Sequence, residues 1–523
     1  IEIRELAKAN GDEKYILGTC FGIRCGFSII AYILISLSLI LFKADRYTTI
    51  MILTYSSVLF MQNFNIIRNY FFSIVENRYV VQTEISRTIL GAIIKVVLLL
   101  MKAPLEYFIF ATVFDTILIA SGYFLSYKKK VGAILEWKFD KKYWPEPEKM
   151  VKELNEMGIR LLVSIWPTVD PRSENFIEMR DQNMLIRSER GPGTLMYCRG
   201  PETYYDPTNP EARKFVWNKA KENYYNLGIR NFWLDEAEPE ITPYDYDNLR
   251  YWIGNGMEVS SLYPFYYAKT FYDGQKEEGQ DEIVNLIRCA FLGSQRFGTV
   301  LWSGDICSDF DSLRRQIKTG LHVAISGIPW WTTDIGGFHG GDPNSEEYRE
   351  CLVRWFQFGA FCPVFRMHGF RFKPDRPVVS PMSMDSFCYS GGPNEIWSYG
   401  EEAYEILKKY VNIRESLRPY IYQNLKKASE DGTPIMRPLF SDYPDEANYE
   451  IFDQYMFGPD LMVCPVYELN RRERKVYLPK GTEWIDSQNG QIYEGGQWIQ
   501  VLAPLESIPI FIRKGAKIDQ TFF

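Results

Sequence analysis

Histidine is scarce in this sequence, and closely paired cysteines are missing. The 523 residues include three histidines and nine cysteines, and no two cysteines have the spacing CxxC. Structural zinc sites need clusters of thiolate and imidazole ligands, so the composition argues against one. We therefore expect neither a metal nor a cofactor. The odd number of cysteines, spread from Cys20 to Cys464, is typical of free thiols in a reducing compartment.

A basic stripe is also missing. Lys and Arg total 59 against 66 Asp and Glu, which gives a formal net charge of -7. Without a basic patch or an RNA-reading motif, nucleic acid is excluded as the expected partner. Hydrophobic residues make up 46% of the chain, which indicates sizeable folded cores rather than global disorder. The length predicts two or three domains, and the sequence leaves the oligomeric state open.

The long hydrophobic runs are concentrated before residue 130. Four stretches there are candidates to cross a membrane: 16–42, 47–66, 86–101 and 105–126. The first and last have the roughly 20 apolar residues that span the hydrocarbon core. Arg87 and Lys95 weaken the third stretch. Buried helices of a soluble bundle are the alternative, which is disfavoured because a soluble helix is rarely apolar on every face.

Basic residues in the short loops predict the orientation of these helices. Lys128 to Lys130 follow the fourth stretch, and Arg68 and Arg78 lie between the second and third. Loops rich in Lys and Arg face the cytoplasm. Four passes would place both ends of this region inside. We therefore expect a multi-pass membrane protein whose remaining residues are cytoplasmic.

After residue 130 the pattern alternates between β-rich runs and amphipathic helices. The predicted strands are 160–165, 230–234, 284–289, 299–302, 324–330 and 362–365, and the clearest helices are 146–158 and 209–228. Repeated strand–helix units predict an α/β fold with a parallel sheet, most simply a βα-barrel. From residue 432 the runs are all β-type, which predicts a small antiparallel domain. The predicted domains are therefore 1–130, 131–431 and 432–523.

Acidic residues follow several of these strands directly. Asp235 ends the run FWLD, Asp305 follows TVLWSG, and Asp334 follows IPWWTT. Active sites of βα-barrels lie at the carboxyl ends of the strands, so these positions are candidates for catalysis. Solvated acidic loops or a Ser-Gly-Asp turn would explain the same local patterns. Arg366 and His368 follow the last strand two residues apart, which places both side chains on one face.

Two carboxyl groups on separate strand ends suit glycoside hydrolysis. One carboxylate attacks the anomeric carbon, while a carboxylic acid with a raised pKa protonates the leaving oxygen. This chemistry requires no metal. The expected partner is therefore an oligosaccharide or another glycoside.

Four ordered motifs resemble glycoside hydrolase family 31. They are WLDEAEP (233–239), WSGD (302–305), DIGGF (334–338) and FRMH (365–368), and the resemblance runs from about Trp137 to Lys517. It implies a (β/α)8 TIM barrel and retention of configuration through a covalent glycosyl-enzyme. It also implies Asp235 as the nucleophile and Asp305 as the general acid/base, about 5–5.5 Å apart. The implied substrate-binding residues are Trp233, Glu238, Arg288, Trp302, Asp334, Phe338, Arg366 and His368.

Within the family, the form LDEAEPE and the segment 164–176 are most similar to bacterial α-xylosidases. The residues themselves leave α-xylosidase and α-glucosidase both open. The family carries a β-sandwich and two barrel strands before the segment that corresponds to WKFD (137–140), and here the apolar region precedes WKFD almost directly. The resemblance therefore implies an incomplete barrel. A membrane-anchored remnant that binds sugar without turnover remains the alternative.

The N-terminal part resembles a different family. The segment QNFNIIRNYFFSIVENRYVV (62–81), the apolar helices around it and the ending SYKKK (126–130) are similar to polysaccharide flippases of the Wzx type, in the MATE-like superfamily. Such transporters have about a dozen helices. The resemblance therefore implies a fragment, and we expect no transport from it.

Overall fold

The computed structural model of the protein describes residues 3, 6, 13–73, 77–130, 135–191, 193, 195–197, 201–242, 244–371 and 391–523. The chain forms two compact units. The first comprises Ile1–Glu136, Thr168–Tyr205 and Asn248–Arg250, and the second comprises Trp137–Pro167, Asp206–Asp247 and Tyr251–Phe523. The predicted domain boundaries remain a prediction.

The first unit contains the apolar helices. They span Glu13–Leu41, Arg46–Ser56, Val58–Gln62, Asn65–Ser73, Asn77–Leu100 and Leu105–Lys130. By length and composition alone, the described residues include three helical segments able to cross a membrane: Tyr15–Leu41, Arg46–Ser73 and Leu105–Lys128. The predicted third stretch, 86–101, lies in the helix Asn77–Leu100 except for its last residue, and this helix is not among these three. Residues 74–76 of the flippase-like segment and the link 131–134 lie outside the described residues.

Charged side chains join the last two of these helices. Asp115, whose side chain is 10% exposed, pairs with Arg87 at 2.9 Å and lies 3.9 Å from Lys95. A Cβ on Gly91 would stand 2.7 Å from Oδ1 of Asp115, so glycine permits this close approach of the two helices. Arg87 and Lys95, the two basic residues that argued against the third stretch as a membrane span, therefore face a carboxylate of the next helix.

Short strands complete the first unit. Thr168–Val169 and Met196–Tyr197 both pair with Pro201–Tyr204, and Arg187–Ser188 pairs with residues 249–250 of the strand Leu249–Tyr251. The helix Phe176–Asp181 lies between them in sequence. Asp170 is fully buried and accepts two hydrogen bonds from the side chain of Arg172.

A parallel sheet organises the second unit. Its strands are β1 (Leu162–Ile165), β2 (Asn231–Leu234), β3 (Asn285–Ile287), β4 (Thr299–Trp302) and β5 (Trp331–Thr332), and they lie side by side in chain order. The α-helices that precede or separate them are Pro147–Glu156, Pro210–Asn223, Gly256–Val259, Tyr263–Glu277 and Phe310–Ile325; Glu346–Gly359 follows β5. Parallel strands in chain order with intervening helices are typical of a (β/α) barrel.

Local sequence signals explain these elements. The side chain of Asn209 caps the helix Pro210–Asn223 by accepting the backbone N–H of Glu211, and proline occupies the first helical position. Gly228 adopts φ +101°, a conformation in which a side chain would be strained. The predicted helices 146–158 and 209–228 and the predicted strands that became β1 to β4 are confirmed.

Two strand predictions were wrong. In 324–330, Ala324 and Ile325 instead end the helix Phe310–Ile325, because Ala324 continues the buried face of that helix, and β5 begins only at Trp331. In 362–365, Pro363 has no N–H to donate to a ladder, and no regular strand forms there. The segment still runs beside β5. Val364 donates to the carbonyl oxygen of Trp331, and Met367 forms a parallel bridge with Ile335.

The predicted antiparallel C-terminal region is confirmed. Two helices, Glu401–Ser416 and Arg418–Asp431, precede its strands, and two short ones, Leu439–Asp442 and Glu446–Tyr449, lie between the first two strands. The strands are β6 (Met436–Pro438), β7 (Tyr455–Phe457), β8 (Leu461–Val463), β9 (Glu473–Leu478), β10 (Glu483–Asp486), β11 (Ile492–Glu494), β12 (Gln497–Leu502) and β13 (Ile510–Arg513). One sheet has the order β6-β7-β8-β13-β10-β11, and β9 pairs with β12.

A buried arginine joins the barrel helices to this C-terminal region. Arg354 lies in the helix Glu346–Gly359 and is 1% exposed. Its guanidinium donates to the carbonyl oxygens of Ala503, Pro504, Ser507 and Arg471 at 2.8–3.1 Å. These contacts satisfy the charge with peptide dipoles.

Candidate active site

Asp235 stands at the carboxyl end of β2. Its backbone N–H donates to the carbonyl oxygen of Ile165 at 3.0 Å. Its carboxylate accepts two further hydrogen bonds of 3.0 Å, at Oδ1 from the backbone N–H of Glu236 and at Oδ2 from the indole N–H of Trp166. Burial raises the pKa of Asp235, and the guanidinium of Arg288 opposes this effect.

Arg288, the residue after β3, lies among the carboxylates of residues 235–240. Its nitrogens are 2.7 Å from Glu236, 2.7 Å from Glu240, 3.0 Å from Glu238 and 3.8 Å from Asp235. A single guanidinium cannot neutralise four carboxylates. Burial, together with this crowding of negative charge, raises the pKa of Glu236 to about 8.

Asp305 follows β4 after Ser303 and Gly304, and Gly304 has φ +75°. This turn brings the carboxyl group into the electrostatic field of the two preceding strand ends. Burial raises the pKa of Asp305, while the charge of Arg288 lowers it. The charge of Asp305 in turn raises the pKa of Asp235. A carboxyl group with a raised pKa is suited to donate a proton near neutral pH.

Asp334 follows β5 after Thr333 and is completely buried. Its Oδ1 accepts a short hydrogen bond from the guanidinium of Arg366, whereas its Oδ2 is buried without a hydrogen-bond partner among the described residues. Burial raises the pKa of Asp334 to about 7, against the opposing effect of Arg366. The unpartnered oxygen can accept a hydrogen bond from a ligand hydroxyl.

Aromatic rings surround Arg366. Its guanidinium lies 5.2 Å from the ring of Trp233 and 5.5 Å from that of Trp302, and these two rings meet edge to face. The ring of His368 lies 4.9 Å from Trp233 and stacks on Phe338 at 5.5 Å. Burial lowers the pKa of His368 to about 3, so this imidazole is neutral and can both donate and accept hydrogen bonds.

The glycine-rich loop that carries Phe338 is held from behind by Arg371. This fully buried guanidinium donates to the carbonyl oxygens of Ile335, Gly337 and Gly340 and to the hydroxyl of Tyr399. The loop leaves no room for a side chain at Gly337, where a Cβ would come within 2.4 Å of the backbone of residue 308. Arg371 therefore fixes the loop between Asp334 and the aromatic rings.

Nine of the ten residues singled out from the sequence make these contacts, in one group around Arg288 and another around Arg366. Asp305 is related to both groups by the effects of Arg288 and Arg366 on its pKa. Arg366 and His368 both contact Trp233, as expected from their common face, although no regular strand carries them. Their assignment to catalysis and sugar binding remains a prediction. Trp166 and Arg371 were not singled out. The position of Trp166 directly after β1 could have indicated a site residue. No sequence pattern indicated the role of Arg371.

The family model for the TIM-barrel domain of glycosyl hydrolase family 31 matches residues 111–424, and the model for the family's C-terminal domain matches residues 432–518. The chain belongs to glycosyl hydrolase family 31. Nothing in these matches supports a flippase fragment in the N-terminal part, so that resemblance remains a prediction.

Relatives within family 31 include xylosidases and glucosidases. The chain is 38% identical to the α-xylosidase of Saccharolobus solfataricus over 388 residues, which are 73% of this chain and 48% of that protein. It is 30% identical to α-glucosidase 2 of Bacillus thermoamyloliquefaciens over 395 residues, 73% of this chain and 46% of that protein. The chain thus spans about half the length of the curated relatives it matches.

A solved family 31 structure gives a similar picture. The chain is 52% identical to a soil-metagenome α-xylosidase that was crystallised with xylose. The match covers 73% of this chain and 57% of that one, with a TM-score of 0.69. It agrees with a family 31 barrel followed by a β-sheet domain.

Proposed function

We propose that the chain is a retaining α-glycosidase that releases terminal α-linked xylose or glucose from oligosaccharides. The proposal depends on the pair of carboxyl groups at strand ends, Asp235 and Asp305. The charge of Arg288 lowers the pKa of both groups, and the charge of Asp305 raises the pKa of Asp235. The family 31 relatives named as α-xylosidases and α-glucosidases support the same substrate class.

The two carboxyl groups would divide the reaction between them. In the first step Asp235 bonds to the anomeric carbon as the glycosidic bond breaks, and Asp305 gives its proton to the leaving oxygen. In the second step Asp305 takes a proton from water, whose oxygen displaces Asp235. Asp334, Arg366 and His368 would hold the sugar hydroxyls during both steps, with Trp233 and Trp302 as apolar walls.

Hydrolysis of aryl α-xylosides and α-glucosides by the purified chain tests the proposal. We expect turnover that is lost in Asp235→Ala and kept in Asp281→Ala, a control whose side chain is 97% exposed. A folded wild-type chain without turnover would contradict the proposal. Calorimetric binding of xylose without hydrolysis would instead identify a sugar-binding remnant, the alternative that an incomplete barrel favours.

Azide separates the two assigned roles. With α-xylosyl fluoride, which needs no acid to leave, Asp235→Ala should use azide on the opposite face and give the β-xylosyl azide. Asp305→Ala should still form the glycosyl-enzyme, so azide should then give the α-xylosyl azide. An exchange of these two products between the variants would refute the assignment of nucleophile and acid/base.

We further propose that the N-terminal helices anchor the chain in a membrane, with the glycosidase region after residue 130 on the cytoplasmic side. Many large apolar side chains of these helices are exposed, among them Phe27, Leu37, Leu41, Ile93 and Leu100. The pairing of Arg87 and Lys95 with Asp115 supports Asn77–Leu100 as a fourth span, because paired charges cost less in hydrocarbon than single ones. Four spans would return the chain to the side from which it started.

Resistance to alkaline carbonate extraction tests the anchoring, and reporter fusions after residue 130 test the orientation. A cytoplasmic fluorescent protein should fold there, whereas alkaline phosphatase should stay inactive. Release of the chain by carbonate would contradict the anchor. Active phosphatase at this position would contradict the orientation.

A further inference from the structure

Trp166 makes a contact with Asp235 that the proposed reaction does not yet explain. It follows β1 directly, as Asp235 follows β2, and the register pairs Ile165 with Leu234. Both side chains therefore leave the same edge of the sheet from neighbouring strands. The indole N–H of Trp166 donates to Oδ2 of Asp235 at 3.0 Å.

The strand end that carries Trp166 is held in place by two buried donors. The indole N–H of Trp137 donates to the carbonyl oxygen of Trp166 at 2.9 Å. The hydroxyl of Tyr267, a fully buried side chain, donates to the carbonyl oxygen of Ile165 at 2.7 Å. The indole of Trp166 is thus presented from an anchored backbone, which a hydrogen-bond donor needs in order to orient another group.

The other neighbours of the carboxylate do not replace this contact. Arg288 bonds Glu236 and Glu240 at 2.7 Å and stays 3.8 Å from Asp235. The backbone N–H of Glu236 reaches Oδ1. Within the described residues, Trp166 is the side chain that donates a hydrogen bond to Asp235.

We propose that Trp166 is a positioning residue for the nucleophile, fixing the plane of the Asp235 carboxylate through the hydrogen bond to Oδ2. This inference rests on the proposed function. The carboxylate loses its charge when its bond to the anomeric carbon forms and regains it when that bond breaks. A donor on Oδ2 stabilises the returning charge and prevents rotation of the carboxylate away from the anomeric carbon.

The hydrogen bond also has a titration consequence, because it favours the ionised form of Asp235 and lowers its pKa. Removal of the indole N–H should raise that pKa. The acidic limb of the kcat/KM profile should then move to higher pH, since Asp235 must be ionised to attack. A residue with a purely structural role would leave this limb unchanged.

Trp166→Phe tests the proposal because it removes the N–H and keeps an aromatic ring. We expect kcat to fall about 10- to 100-fold, as for loss of a hydrogen bond to a charged group, while KM changes less than about threefold. Trp498→Phe, a substitution of a half-exposed tryptophan in β12, should leave both constants and the pH profile as they are. Unchanged kcat and an unchanged acidic limb in Trp166→Phe would overturn the proposal.

Two further measurements keep the test decisive. Replacement of Trp166 by 3-benzothienylalanine substitutes sulfur for the N–H in a ring of nearly the same shape, and it should reproduce the effects if Trp166→Phe does not fold. Carbon-13 NMR of the Asp235 carboxyl, assigned with Asp235→Asn, needs no turnover. If the pKa of the Asp235 carboxyl stays the same without the indole N–H, the positioning role is overturned. If the pKa changes as expected but the wild-type chain is inactive, only the proposed function is overturned.

Discussion

Glu236 offers a quantitative test of the electrostatics around Arg288. Its side chain is almost fully buried, and burial raises its pKa from 4.5 to about 8. The folded state therefore holds a proton that the unfolded chain releases above pH 4.5. Folding stability from this group is present at low pH and is lost as the pH rises through about 8.

The size of this effect follows from the shift. A pKa change of one corresponds to about 1.4 kcal/mol, so the rise from 4.5 to about 8 gives about 5 kcal/mol of stability that is lost between pH 4.5 and pH 9. Glu236→Gln imitates the protonated group at every pH. The variant should match the wild type near pH 5 and exceed it in stability near pH 9.

Thermal unfolding from pH 5 to pH 9 measures the difference between the two proteins. Carboxyl groups that do not interact with Glu236 titrate alike in both proteins, so subtraction leaves the titration of Glu236 together with its coupling to Asp235, Glu238 and Glu240. Glu277→Gln, which changes an exposed glutamate, should unfold like the wild type at each pH. A difference between Glu236→Gln and wild type that does not vary with pH would refute the raised pKa and the shared-guanidinium explanation.

Three further substitutions test other contacts. Asp334→Asn leaves the mostly buried charge of Arg366 without its anion at pH 8, where Asp334 is ionised. At that pH kcat/KM should fall about 100-fold in the aryl xyloside assay, and the unfolding free energy should fall by about 3–5 kcal/mol in denaturant. Arg371→Lys cannot reach all of the loop carbonyls, and a loss of about 2–4 kcal/mol in denaturant unfolding is expected; an unchanged midpoint would contradict this. Asp115→Asn leaves Arg87 unpaired, so a reporter fused after residue 130 should report mixed orientations; a uniform cytoplasmic signal would argue against the ion pair's role in insertion.

The periodic parts of this fold could be predicted from the sequence. The strands that became β1 to β4 are short apolar runs between clear helices, and Asn209 and Pro210 mark the start of one helix. The errors at 324–330 and 362–365 arose where an apolar run continues a helix face or contains proline. In such runs, hydrophobicity alone does not separate a buried helix end from a strand.

The candidate site shows a similar division. Carboxylates after strands are visible in the sequence because strand ends converge in a parallel barrel. The partners that tune them are not, since the Trp166–Asp235 bond depends on the register of two strands 69 residues apart. Arg371 likewise donates to backbone carbonyl oxygens. Every residue has a backbone carbonyl, so the sequence does not show which residues accept these hydrogen bonds.

The buried guanidinium of Arg354 has a consequence for how the second unit can be cut. Its acceptors are the peptide carbonyl oxygens of residues 471, 503, 504 and 507, far along the chain from the helix that carries it. A shortened protein ending before residue 432 would keep the charge and lose these acceptors, leaving a cation in an apolar setting at a cost of several kcal/mol. We therefore expect the helix Glu346–Gly359 to need the C-terminal region for its stability, and a stable fragment of the second unit should include residues 432–523.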